Sequence, residues 1–269
     1  SKEILNFIDE YYQNQIPHYV LEDTDYSIQK CLSCTGLFQE YIFNDDFMGE
    51  LYENWISKED SIKKKINFST YNFSLYTNDL NKINLYMNKK PKDTTILEYG
   101  MGWGFWSRIA QSMNFDVSGF EVSKSRIDFA KKNNIKILSN IDELKKKSFD
   151  FIYSFAVFEH ISNPYETLKL LKNLLNKNGL IYIYVPNGIF MQNKFNKSWK
   201  ASKDALHPLE HINCFNRKSL KVIANELDFE IKYNIFSPRY KSLSSIFTEP
   251  LKHLYNNTFS TGVFLKKRF

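Results

Sequence analysis

Two sets of residues in this chain have the types and spacing to do chemistry. The first is Glu98-Tyr99-Gly100-Met101-Gly102-Trp103-Gly104, which puts three of the nine glycines at alternate positions directly after the apolar pair Ile96-Leu97. Glycines alternating between a strand and a helix bring bare backbone against a ligand, with amide N–H groups aimed at it. Glu121, one strand later, is placed to accept both hydroxyls of a ribose. The second set is two acid–histidine groups, Glu159-His160 and His207-Pro208-Leu209-Glu210-His211. Imidazoles titrate near neutrality, so they can hold a substrate or move a proton.

Dinucleotides and S-adenosylmethionine both use a glycine turn of this kind. A dinucleotide turn wants a glycine or alanine where this chain has Phe105, a ring that would obstruct helix–strand packing and the approach of a pyrophosphate. Glu98 would repel a diphosphate, whereas the amino group and sulfonium of S-adenosylmethionine are cationic. The turn therefore reads as a site for a cationic nucleoside.

The elements around these residues alternate. Thr94–Tyr99 reads as a buried strand, Phe105–Met113 as a helix, Asp116–Glu121 as a strand and Ser123–Asn133 as a helix N-capped by Ser123. Ile135–Leu138 and Phe149–Phe155 read as strands, Pro164–Asn176 as a helix C-capped near Gly179, and Leu180–Val185 as a fifth strand. Phe229–Phe236 and Phe259–Lys267 form a closing antiparallel pair around an insertion with Pro238 and Pro250. This pitch predicts an α/β fold, a mostly parallel sheet with helices on both faces. Upstream, Ile4, Ile8 and Tyr11-Tyr12 suit a first amphipathic helix. From Ser57 to about Lys90 the pattern is helical, with Ile62, Ile66, Tyr71, Leu75, Leu80, Ile83 and Tyr86 as candidate inward positions. The division falls near residue 90: an accessory segment 1–90 and a cofactor-binding domain 91–269, with a lid at about 189–228.

The chain resembles the class I S-adenosylmethionine-dependent methyltransferases. Glu98 to Gly104 matches the family's acid-x-Gly-x-Gly-x-Gly signature. Ser148-Phe149-Asp150-Phe151-Ile152-Tyr153-Ser154 with Val157-Phe158-Glu159-His160-Ile161 matches its fourth strand and the Glu-His turn of one subgroup, and Asn178-Gly179-Leu180 fits the lead into the fifth strand. His211 to Phe215 with Ser219-Leu220 is similar to that subgroup's second histidine segment. The resemblance implies a Rossmann-like sheet with its last strand antiparallel, S-adenosylmethionine as cofactor and S-adenosylhomocysteine as product. It implies cofactor contacts at Glu98, Tyr99, Gly100, Gly102, Gly104, Glu121, Val122, Asn140, Ile141, Ser154 and Phe155. Asn140 and Ile141 would flank the adenine. His211 and His160, with Glu159 and His207 beside them, are the candidates for handling the acceptor.

The expected acceptor is a hydroxyl, amine or carbon of a small metabolite, in particular a sugar or nucleotide-sugar of surface-polysaccharide or natural-product biosynthesis. The competing functions are a nonenzymatic cofactor-binding scaffold and an RNA or protein methyltransferase. The net charge of +6 is spread over lysine-rich helix faces such as Lys63-Lys64-Lys65, which gives no nucleic-acid footprint. No apolar run reaches the roughly 18 residues that span a bilayer, no signal peptide is visible, and three cysteines make no disulfide framework, so a cytoplasmic protein is expected. A homodimer is compatible with the sequence but not specified by it. Cys31-x-x-Cys34-x-Gly36 looks like half a zinc ribbon, similar to the lead-in of methyltransferases acting on sugars and small metabolites. It has no second cysteine pair, only His18 and Cys214 as spare ligands. The acid–histidine pairs also offer ligands for a divalent metal at unspecific spacing. No bound metal is expected.

Overall fold

The structure is a computed structural model that describes residues 2–67, 69–232 and 260–268, with Leu251 and Leu254. Helix α1 (Lys2–Tyr11) buries Ile8, as its spacing predicts. Strands β1 (Ile28–Lys30) and β2 (Leu37–Gln39) form an antiparallel hairpin. The Cys31–Gly36 knuckle is its turn: the Cys31 N–H donates to the Gly36 carbonyl and the Thr35 N–H to the Cys31 carbonyl, both at 2.9 Å. Helix α2 (Asp45–Glu50), capped by Asn44, runs into a π-helical turn at Leu51–Trp55.

The stretch after Ser57 is two helices, α3 (Lys58–Ile66) and α4 (Thr70–Met87). Ser57 and Ser69 each accept an N–H three residues on, from Asp60 and Asn72, so a second N-cap competes with helix continuation. Ile66, expected inward, is exposed at the end of α3, whereas Leu80 and Ile83 of α4 are buried.

The remaining elements are β3 (Thr95–Tyr99), α5 (Phe105–Ser112), β4 (Asp116–Phe120), α6 (Lys124–Lys132), β5 (Ile137–Leu138), α7 (Ile141–Lys145), β6 (Phe149–Phe155), α8 (Pro164–Asn173), β7 (Leu175–Tyr184), α9 (Met191–Ser198), β8 (Asn213–Cys214), α10 (Arg217–Glu226), β9 (Phe229–Lys232) and β10 (Val263–Lys267). The large sheet runs β5-β4-β3-β6-β7-β10-β9. β3 pairs in parallel with β4 and β6, while β10 is antiparallel to both β7 and β9. Neighbouring residues of β3 face opposite ways. Leu97 joins the cluster that includes Leu171 of α8 and Ala224 of α10; Ile96 joins the one that includes Leu80 of α4 and Trp106 of α5. Helices on both faces satisfy a parallel sheet, which has no solvated side.

Two expectations about local structure need correction. Helix α8 stops at Asn173, and Gly179 lies inside β7 rather than capping the helix. β7 pairs Leu175 with Phe149 and Leu180 with Phe151, so an irregularity between them absorbs the extra residues, with Asn178 at φ 78°. Ser123 stands at the N-cap of α6 but makes no capping bond; its hydroxyl donates to Glu53 instead.

The predicted division near residue 90 falls between α4 and β3, which share one core. The segment 189–228 splits physically: Leu220, Ala224 and Leu227 pack into the main core, whereas Met191, Ala205, Leu206 and Cys214 pack with Leu37 of the hairpin. β8 pairs with β2, so a small sheet ties the N-terminal hairpin to residues 213–214. Residues 233–236, Phe259 and the insertion with Pro238 and Pro250 lie outside the described residues. Among the described residues no helix is long and apolar enough to cross a membrane.

Candidate functional site

At the carboxyl end of β3 all three turn glycines take positive φ: 73° at Gly100, 57° at Gly102 and 70° at Gly104. Side chains rarely tolerate that region. The three serve different ends. A Cβ on Gly100 would fall 2.5 Å from Val157, and one on Gly104 2.6 Å from Ile135, so both are needed for packing. A Cβ on Gly102 would meet nothing within 4 Å. Gly102 is thus the open part of the turn, whereas Gly100 is the one of the three that lines a cleft shared with Glu121.

Glu121 follows β4 and is buried. Its Oε2 accepts from the Gly102 N–H at 2.9 Å, and its Oε1 accepts from the N–H groups of Val122 and Ser123 at 2.9 and 3.0 Å. Backbone donors hold the carboxylate at the turn, and the Arg126 guanidinium lies 3.8 Å away. Tyr99, Gly100, Phe120, Glu121 and Val122 line a cleft of about 660 Å³, a volume suited to a small-molecule site. Met48, Tyr52, Glu53 and His160 line the same cleft. Tyr99 and Phe120 stack at 5.2 Å, an apolar plate beside the acid. An open glycine, a held carboxylate and an aromatic plate fit a nucleoside cofactor.

Other predicted cofactor residues stand further off. Glu98 does not line the cleft: its Oε2 accepts from the Ser107 N–H and hydroxyl at 3.0 and 2.5 Å. Burial pushes its carboxyl up to about 8, with the Ser107 bonds opposing the shift. Glu98 is therefore neutral at pH 7, so in this structure the choice against a diphosphate rests on the turn's shape rather than on that charge. Asn140 caps α7 by accepting the Glu143 N–H at 2.8 Å, and Ile141 is partly exposed beside it. Ser154 is fully buried with an unpartnered hydroxyl, and Phe155 stacks on Tyr184.

The acid–histidine groups, some 50 residues apart in sequence, meet in space. His160 and His211 lie 4.9 Å apart between ring centroids, and His207 and His211 5.4 Å. The Glu210 carbonyl, which can only accept, takes the His160 Nδ1–H at 2.8 Å, so neutral His160 turns an unprotonated Nε2 toward Glu159, 3.8 Å from Oε1. His207 donates from Nδ1 to the Pro208 carbonyl at 2.7 Å and is packed among Phe7, Tyr11 and Tyr12. Burial lowers all three imidazoles, to about 3 for His160 and about 4 for His207 and His211, and raises Glu159 to about 8. At neutral pH the cluster carries no charge on these four groups.

Several residues at the site carried no signal in the sequence. Tyr52 places its hydroxyl 3.1 Å from His160 Nδ1, and Tyr12 donates to Glu210 at 2.8 Å. Burial alone would raise the Glu53 carboxyl, but bonds from Ser123 and Lys58 hold it at about 2. Each is a residue of a common type, recruited from the accessory segment by tertiary packing. At the hairpin, the Ser33 hydroxyl and the Cys34 backbone lower the Cys31 thiol to about 7, while burial pushes Cys214 up to about 12. Among the described residues the cysteine pair belongs to no group of three ligands, and His18 pairs with Asp9 at 2.7 Å.

Residues 71–233 match a family model described as a methyltransferase domain. The ubiquinone biosynthesis O-methyltransferase of Pelagibacter ubique (strain HTCC1062) is 28% identical over 148 residues, which are 51% of this chain and 62% of that protein. The match thus spans less than two thirds of that relative's length. Among solved structures, the plantazolicin methyltransferase BpumL in complex with S-adenosylhomocysteine superposes with a TM-score of 0.52 at 20% identity, over 83% of this chain and 96% of that one. BamL, solved with a triazolic desmethylPZN analog and S-adenosylhomocysteine, gives 0.53 at 16% identity over 82% and 94%. These two likenesses establish the fold, and the family match covers the glycine turn, Glu121 and the Glu-His turn together. The chain belongs to the class I S-adenosylmethionine-dependent methyltransferases.

Proposed function

We propose that this protein methylates an acidic hydroxyl, such as a phenol, on a small organic acceptor. One observation carries the reading: Glu121 and His160 line the same cleft, so a donor held at the glycine turn and an acceptor held against the histidines share one space. Methyl transfer needs the attacking oxygen in line with the methyl carbon and sulfur, and orientation supplies most of the rate. The proton on that oxygen must also leave. Imidazoles whose conjugate acids lie at about 3 to 4 are weak bases. They suit a hydroxyl that ionises readily better than an aliphatic sugar hydroxyl, which needs a far stronger base. The ubiquinone biosynthesis O-methyltransferase to which the chain is similar is itself named for oxygen methylation. In this reading Gly100, Gly102, Glu121 and Val122 hold the donor, His160 and His211 hold the acceptor, and residues 189–215 cover it.

The test is release of S-adenosylhomocysteine from purified protein given S-adenosylmethionine with phenols, sugars, nucleotide-sugars, RNA or peptides. Turnover with phenols and not with sugars is expected. Turnover confined to nucleotide-sugars, RNA or peptides would overturn the acceptor class.

A further inference from the structure

The geometry points to a divalent-cation site formed by Glu159, His160 and His211 at the edge of the cleft that His160 lines, where the cation binds the acceptor oxygen. The proposal deepens the O-methyl transfer reading and rests on it for the cation's role.

Three observations bring these residues together as ligands. One carboxylate oxygen and one ring nitrogen from each histidine all lie within 4.8 Å of one another, the one such group of three among the described residues. Ligands at ordinary carboxylate and imidazole bond lengths sit roughly 3.4 Å apart around a tetrahedral cation. The Glu159–His160 pair, at 3.8 Å, is nearly at that spacing already. Next, the orphaned atoms point the same way. Glu159 is 2% exposed, yet its Oε2 has no hydrogen-bond partner, and neither has His211 Nδ1. Buried polar atoms left unpaired are destabilising, so two in one cluster call for a ligand that satisfies them. Finally, the outer shell is in place. A metal-binding histidine donates its other ring N–H to a carbonyl or carboxylate, which fixes the free nitrogen's direction. His160 does this through Nδ1 to the Glu210 carbonyl, and Glu210 is fixed in turn by Tyr12.

Two imidazoles and a carboxylate suit a first-row divalent cation such as Zn²⁺ or Co²⁺ rather than Ca²⁺, which prefers oxygen alone. Three protein ligands leave coordination positions for an acceptor hydroxyl, and His160 lines the cleft where that hydroxyl would enter. The bound hydroxyl loses its proton to water. Its oxygen then forms the new bond to the methyl carbon while the methyl–sulfur bond breaks, the electron pair staying on sulfur to give S-adenosylhomocysteine. The cation supplies the acidification of the bound hydroxyl.

The test is Co²⁺ titration of chelator-treated protein followed by visible absorption, in a Cys31→Ser/Cys34→Ser background that removes the thiol pair. One saturable Co²⁺ per chain, displaced by Zn²⁺, is expected. Glu159→Gln and His211→Ala should each weaken it at least tenfold while S-adenosylhomocysteine binding stays within threefold, which shows that the fold is intact. No saturable band, or a band indifferent to both substitutions, overturns the site. Full-rate phenol methylation in excess chelator overturns the cation's role and leaves the O-methyl reading standing. A cation lost on both substitutions, in a protein that methylates no hydroxyl, supports the site and sinks that reading instead.

Discussion

The two halves of the cleft are built in opposite ways. On the donor side, Gly102 and Glu121 are joined by a direct bond, and both oxygens of Glu121 are filled by backbone donors from adjacent stretches of chain. On the acceptor side, Glu159-His160, His207–His211, Tyr12 and Tyr52 come from distant parts of the sequence, and Glu159, His207 and His211 each keep a buried atom unpaired. A surface complete before ligand arrives suits a constant cofactor. One assembled from separate segments, with polar atoms in reserve, suits a variable partner that completes it. Substitutions in one half should therefore leave the other half's ligand largely alone.

The largest separation is expected at Gly102. Gly102→Val forces a β-branched residue into positive φ and fills the one open position of the turn, so affinity for S-adenosylhomocysteine should fall on the order of 100-fold, about 2.7 kcal/mol. Calorimetry beside circular dichroism measures it, and an affinity within threefold of the native protein's would remove Gly102 from the donor site. Glu121→Ala comes next. It strips the acceptor from three backbone N–H groups and from any ribose contact, for a loss of roughly 10- to 50-fold. An equal loss of donor affinity from Glu159→Gln would erase the distinction between the halves.

Glu98 tests a support behind the donor turn. Its folded-state value of about 8 lies above the ordinary 4.5, so the fold prefers the protonated acid. The stability this contributes is complete below about pH 4.5 and is lost as pH rises toward 8. Glu98→Gln should match the native protein near pH 5 and exceed it above pH 8 by about 1–3 kcal/mol in denaturant melts. Parallel pH profiles for the two proteins would show that Glu98 does not titrate in this way. The smallest effect is expected from Tyr12→Phe, which removes one bond to Glu210. A cost near 1 kcal/mol, or about 2–4 °C in Tm, with donor affinity unchanged, is expected from thermal melts. No shift in Tm would mean that Tyr12 does not brace the cluster.

The same contrast explains what was legible in the sequence. The donor half is local: strand, glycines, helix and the acid after the next strand follow one another, and each has a pattern set by backbone geometry. Ile96 and Leu97 could be assigned to a buried strand because a parallel sheet needs apolar residues on both faces. The acceptor half is long-range. His160 and His211 were visible as chemistry-bearing residues, but their meeting depends on the pairing of β8 with β2 and on Tyr12 reaching Glu210, neither of which has a local signature. Tyr52 is one of seventeen tyrosines and Glu53 one of many surface acids; only packing sets them on the cleft. The helical pattern after Ser57 divides into α3 and α4 at Ser69, a second N-cap whose signal is a single residue, while apolar spacing persists through both helices. Gly179 looked like a helix stop because an irregularity in β7, invisible to periodicity, moves the strand's start upstream.

The central claim is that the donor is held at the glycine turn and the acceptor at His160, in the same cleft. Titrating S-adenosylhomocysteine in parallel into the native protein, Gly102→Val and His160→Ala tests it most directly. The native protein should bind one molecule per chain, His160→Ala should bind it within threefold, and Gly102→Val should bind it on the order of 100-fold more weakly. Absence of binding by the native protein, or a loss in His160→Ala as large as that in Gly102→Val, would contradict the account.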